Sequence, residues 1–197
     1  MASLFNRHIA KLLPSLTWRH FGVGALQAYL SEDGRLEQRL HIWHPSLIRS
    51  GIQGRGDCHN HRFSFVSQVL CGAIVNEQWD LRAFEAGDYA LYEVEHARAA
   101  LQRTGAFDCD YRLVARCHAA PIGRTWTHAG GSYEFERGAF HRTSCLGLTV
   151  TLVTKFDQQE ERARILCPHG ERLVQAFGGP KPDVQAVLRD AQEALCR

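Results

Sequence analysis

Apolar residues follow two periods along this chain. Phe5, Ile9, Leu12 and Leu16 recur at helical spacing and Leu13 widens the stripe, so the first thirty residues read as helix with a break at Pro14. Ser31-Glu32-Asp33-Gly34 is a turn. From there the pattern shifts to alternation and to β-branched and aromatic runs, which predicts strands over 36–44, 63–71, 73–79, 88–94, 111–118, 123–128, 132–136 and 148–155. The charged stretch 158–180, ending Phe-Gly-Gly-Pro, reads as an irregular connector. Pro182 then opens a short amphipathic helix along Val184, Val187, Leu188, Ala191 and Leu195. Short strands in such number predict an all-β jelly roll or barrel. The expected organisation is an N-terminal helical extension over 1–35, a β-barrel over 36–157, and a connector with a C-terminal helix over 158–197, all within one domain. Both helices are expected to cover a core edge or the seam of a homodimer.

Composition narrows the function. The chain has 197 residues, 45% hydrophobic and 22% charged, which suits one globular domain. A formal net charge of +2 gives no field for gathering nucleic acid or an anionic membrane. No apolar run approaches the roughly 20 residues of a membrane span. Arg7, His8 and Lys11 interrupt any secretory core at the N-terminus. The expectation is a soluble cytoplasmic protein. Its seven cysteines are scattered without a C-x-x-C pair, as for reduced, buried thiols.

Histidine is the unusual entry, with eleven in the chain. His59 and His61, in Cys58-His59-Asn60-His61-Arg62-Phe63, share one face if extended, and two imidazoles so placed can converge on one metal ion. A third donor must come from elsewhere, and His141, in Gly138-Ala139-Phe140-His141, is the candidate, with Gly138 permitting a tight turn before it. H-x-H also occurs by chance in a chain so rich in histidine.

The surroundings of both segments resemble the cupin family. His59-Asn60-His61 is followed by Phe65, where cupins place a Glu, and by Gly72 at the position of their Gly. Gly130, five residues, Glu136-Arg137-Gly138, two residues and His141 follow the spacing of the second cupin motif, with Glu136 in place of Pro. Gly54 is one position out of register and Cys145 replaces a frequent Asn. The resemblance implies the cupin double-stranded β-helix, a jelly roll. Phe65 in place of Glu implies a three-histidine centre without a carboxylate, similar to the iron site of the cysteine dioxygenase branch. It implies a divalent metal on His59, His61 and His141, Fe(II) first and Zn or Ni as alternatives, and an Fe(II)-dependent dioxygenase acting on a small anionic molecule. A non-redox Zn or Ni enzyme (isomerase, dehydratase or hydrolase) and a non-catalytic ligand-binding module are the competing expectations.

Substrate-side candidates follow from strand parity. Arg39, His41 and Trp43 share one face of strand 36–44 and His44 lies on the other, so either set can line a pocket or lie on the sheet exterior. Arg124, Trp126 and His128 form a second alternating set leading into the second motif. Arg62 points away from the metal face by the same parity. Cys58 and Cys145 lie near the proposed ligands, as metal-tuning or as inert thiols.

Overall fold

The computed structural model describes residues 3–21, 24–32, 36–48, 58–83, 87–96, 109–159, 162–171 and 183–197. Helix α1 spans Leu4–Leu12, capped by Ser3, whose Oγ accepts from Asn6 N at 3.0 Å, and runs into a 3-10 turn over Leu13–Ser15 at Pro14. Strands follow as β1 (Arg19–Phe21), β2 (Ala25–Glu32) and β3 (Glu37–Trp43), then a short helix α2 (Pro45–Ile48). Next come β4 (Ser64–Cys71), β5 (Ala73–Ala83), β6 (Tyr89–His96), β7 (Cys109–His128), β8 (Ser132–Phe135), β9 (Phe140–Cys145), β10 (Thr149–Phe156) and β11 (Ala163–Pro168). Helix α3 (Val184–Cys196) closes the chain, capped by Asp183 Oδ1 accepting from Ala186 N at 3.0 Å.

The strands form two antiparallel sheets, in the orders β1-β2-β3-β10-β4-β8 and β11-β6-β7-β5-β9. This is the expected jelly roll with a helix at each end. Three local expectations are corrected. The N-terminal segment is helical only as far as Ser15, after which β1 and β2 join the first sheet, because Ala25, Leu26 and Ala28 are fully buried by pairing with β3. The two strands expected over 111–118 and 123–128 are one continuous strand, whose first part pairs with β6 and whose second pairs with β5. The connector contains β11, held by β6. Residues 33 and 34 of the expected turn, Gly54, Pro182 and the end of the connector lie outside the described residues.

Each face of the first sheet has its own role. On the outer face, Leu26, Leu40, Ile42, Leu70 and Val150 pack under Ile9 and Leu13 from the N-terminal helical segment and Val187, Leu188, Ala191 and Leu195 of α3. At about 25 cal/mol per Å2 of apolar surface removed from water, this layer is the main cohesive force on that side. Polar bonds fix its register: Asn6 Nδ2 donates to Leu70 O at 3.0 Å, and Gln192 Nε2 to Ala10 O at 2.9 Å. The inner face carries most of the chain's unusual residues. Cα partners across the sheet bring Glu37, Lys155 and Phe65 into one row, Arg39 and Val153 into the next, and His41 and Thr151 into a third.

Gly72 turns the chain from β4 in one sheet to β5 in the other, at φ +79°. A Cβ there would sit 2.4 Å from both Leu148 O and Thr149 Oγ1, so glycine is required by space as well as by conformation.

Candidate metal centre

Segment 58–60 closes the second sheet. His59 bridges His141 on β9 and Ile165 on β11, the two edge strands. Its backbone N–H donates to His141 O at 3.0 Å and its carbonyl accepts from His141 N at 3.0 Å. On the other side Leu166 N donates to Cys58 O at 2.9 Å and Asn60 N to Arg164 O at 3.0 Å. The buried Asn60 side chain reinforces the closure, accepting from Arg164 N at 2.6 Å and reaching Gly138 O at 3.5 Å. Residue 61 is held in turn by Gly138 N, which donates to His61 O at 3.0 Å. The two sequence motifs are therefore stitched together by main chain.

The closure places three imidazoles together. Ring centroids lie 4.8 Å apart for His59–His61, 5.0 Å for His59–His141 and 5.1 Å for His61–His141. One ring nitrogen from each falls within 4.8 Å of the others, a grouping that can hold a divalent metal ion. Among the described residues no carboxylate or thiol joins this group. His141 is 2% exposed, and its Nδ1–H donates to Ala139 O at 3.2 Å, which leaves Nε2 as the lone-pair nitrogen. Burial first, then the neighbouring His59, holds the His141 pKa down at about 3. Burial followed by the His59 and His141 charges pushes His61 well below its ordinary value. Both are neutral at physiological pH, the form that donates an electron pair to a metal.

Phenylalanines occupy the positions around the rings. Phe135 stacks on His141 at 4.0 Å and 12°, and Phe63 on His61 at 4.8 Å and 26°. Phe65, at the position of the cupin Glu, meets His61 edge-on at 5.2 Å and lies 5.9 Å from His141. The aromatic wall fixes ring orientation by contact where a carboxylate would have offered a fourth ligand.

A buried cavity of about 90 Å3 opens beside His59, between the sheets. Arg39, His41 and Trp43 line it, so the inner face of β3 is the one that carries them. Burial and then the Arg39 charge hold the His41 pKa at about 3. His44 lies on the opposite, helix-covered side, with Nε2 3.1 Å from Asp190 Oδ2 of α3 and Nδ1 2.6 Å from Ser46 Oγ. Arg124, Trp126 and His128 do not reach the cavity. They face outward from β7, opposite Glu77, Val75 and Ala73, while the next parity carries Asn76 and the cavity-lining Thr143. Arg124 Nε donates to Glu77 Oε1 at 3.0 Å, and Trp126 is 50% exposed. Cys58 is a buried thiol in an apolar cluster with Leu91 and Leu166. Cys145 packs near Tyr133, with its pKa pushed up to about 11 by burial, the state of an unreactive thiol.

Sequence reasoning missed Lys155, Glu37 and Asn60. Lys155 is 6% exposed and lines the cavity, with Nζ 2.8 Å from Glu37 Oε1 and 3.8 Å from the centre of the Phe63 ring. The available signal was a lone lysine at inner parity on the otherwise uncharged strand 148–155. Asn60, between the two histidines, looked like a spacer.

Two antiparallel sheets, the second closed edge to edge through His59, with both motifs meeting at one cluster of imidazoles, decide the fold type. It is a cupin-type jelly roll. Solved cupins are similar in fold. An RmlC-like cupin from Shewanella frigidimarina aligns at 15% identity over 75% of this chain and 88% of its own, with a TM-score of 0.37. KdgF from a Halomonas species aligns at 11% identity over 72% and 89%, with a TM-score of 0.39. Hydroquinone 1,2-dioxygenase from Sphingomonas aligns at 10% identity over 66% and 65%, with a TM-score of 0.35. No protein-family model matches the sequence, and no curated protein matches it. Among the described residues no helix is long and apolar enough to cross a membrane.

Proposed function

We propose that this cupin-type chain is a metal-dependent enzyme for a small anionic molecule, and that its reaction is an Fe(II)-dependent dioxygenation. The observation that carries the proposal is the pairing of three imidazoles, unaccompanied by a carboxylate, with a cavity one wall of which holds two cations, Arg39 and Lys155, against one anion, Glu37. His59, His61 and His141 would hold the ion, and because an imidazole ligand brings no negative charge the ion's double positive charge would stay uncompensated by these ligands. When bound, iron(II) supplies open coordination positions and redox chemistry with dioxygen. The protein's own part is to orient and enclose. Phe63, Phe65 and Phe135 exclude water from one side of the rings, and the cationic wall draws the anionic end of a substrate to the opposite end of the cavity.

One observation favours a second reading, a zinc or nickel enzyme of non-redox chemistry. His41 places a neutral imidazole inside the same cavity, where it can exchange a hydrogen bond with a polar substrate group. Anaerobic purification followed by metal analysis and oxygen-uptake assays with small carboxylates separates the two. Iron near one per chain with substrate-dependent oxygen uptake supports dioxygenation. Zinc or nickel without uptake supports the second reading, and protein that retains no divalent metal under any condition overturns both.

A further inference from the structure

The inner pair Glu37–Lys155 has no counterpart among the sequence motifs, and with Arg39 beside it the charges do not balance. Arg39 is saturated. Its Nε forms an ion pair with Glu37, and its guanidinium lies 4.5 Å from the centre of the Tyr29 ring. The Gln27 amide, turned so that its oxygen faces the guanidinium, accepts from Nε at 3.1 Å and from an Nη at 2.9 Å. Lys155 is not saturated. Its ammonium has three donors, and its described partners are one carboxylate oxygen at 2.8 Å and the face of Phe63. Two cations against one carboxylate leave one positive charge in excess, on a side chain 6% exposed that lines a cavity. Burying an uncompensated charge is costly, and a ligand of opposite charge at the same place removes that cost. Trp43, on the same wall, adds a buried indole N–H with no hydrogen-bond partner among the described residues.

We propose that Lys155 anchors the carboxylate of a short monocarboxylic ligand whose other end faces His59, His61 and His141. The assignment deepens the reading of the triad as a metal centre and rests on it for the direction in which the ligand lies. The single excess positive charge on this wall matches one carboxylate at this end of the ligand. The Phe63 ring touches both Lys155 and His61, so the anchor and the imidazoles stand one ring apart. A cavity of about 90 Å3 is smaller than the roughly 150 Å3 that encloses benzene, so the enclosed part of the ligand has few heavy atoms. Glu37 is the internal competitor, occupying Lys155 until a ligand carboxylate takes over one of its donors.

The test is calorimetric titration of the full-length protein at pH 6, where Lys155 is charged, with propionate and with propionamide, which differ in charge and hardly in shape. Metal content is measured on the same samples. Propionate should bind the wild type, and both propionamide to the wild type and propionate to Lys155→Met should bind weaker by roughly tenfold or more. Glu37→Gln removes the competitor and, at a pH low enough to keep Lys155 protonated, should tighten propionate binding, a change opposite in sign that a merely damaged fold does not produce. No propionate binding to the wild type, equal binding of acid and amide, or unchanged affinity in Lys155→Met overturns the assignment. Lys155-dependent propionate binding by protein that holds no metal sinks the metalloenzyme and leaves the anchor standing. Metal held at full occupancy with Lys155-independent propionate binding does the reverse.

Discussion

His59 and His141 form an antiparallel pair in which each backbone N–H donates to the other's carbonyl at 3.0 Å, with their rings 5.0 Å apart. Two imidazoles more than eighty positions apart in sequence are thus brought together by main chain. The part that keeps this closure in register is Asn60, buried between β9 and β11, whose side chain accepts from Arg164 N at 2.6 Å. Asn60→Ala strands that N–H and should cost about 1–3 kcal/mol of stability, read from urea midpoints, together with a weaker grip on divalent metal. Unchanged stability and unchanged metal affinity would show that the pair needs no such support.

Two glycines of the motif spacing should behave differently. Gly72 and Gly138 both adopt positive φ, +79° and +83°. A Cβ at Gly138 meets nothing within 4 Å, whereas at Gly72 it collides with the backbone of Leu148 and the side chain of Thr149. Gly138→Ala should therefore cost only the conformational strain of about 1–2 kcal/mol, and Gly72→Ala distinctly more. Chemical denaturation of the two variants checks the order; an equal loss would contradict the steric account.

Lys155 predicts a pH signature. Burial first, then the Arg39 charge and more weakly that of Arg62, lower its pKa from 10.5 to about 7, while the Glu37 carboxylate opposes the shift without cancelling it. Glu37 itself titrates below its ordinary value, because Lys155 and Arg39 together outweigh the burial that would raise it. Between pH 7 and 10.5 the unfolded chain binds a proton that the folded chain lacks, so this group makes stability rise with pH across that window. The cost is complete below 7. One proton contributes at most about 1.4 kcal/mol per pH unit. Comparing urea midpoints of wild type and Lys155→Met at pH 7 and 9 isolates the effect, since only the wild type should gain from this source. Identical pH dependence in the two proteins contradicts it.

Strand alternation and motif spacing made most of the barrel and the imidazole cluster legible. Apolar alternation marks β3, β4 and β10 because each buries one face under the helices or against the second sheet. The N-terminal segment misled because Phe5, Ile9 and Leu12 do lie on a helix, whereas Leu26 and Ala28 are buried by strand pairing that local periodicity does not report. Strand β11 was hidden by its charges. Arg164 is tied to Glu93 at 3.3 Å across the pairing with β6, so a charged stretch is strand because a partner neutralises it. The two faces of β3 were legible from parity, but which one turned inward was set by the helices on Leu40 and Ile42, a tertiary fact. The charged row around Lys155 stayed unread for the same reason, because Glu37 and Lys155 become neighbours only when β10 returns beside β3.

Cobalt(II) titration of metal-free protein, followed by visible absorption, tests the central claim most directly. The account predicts ligand-field bands that saturate at one equivalent in the wild type and are lost in His59→Ala, His61→Ala and His141→Ala alike, each variant retaining its β-sheet circular dichroism. Cobalt bound with the same stoichiometry and spectrum in any of the three variants would contradict it.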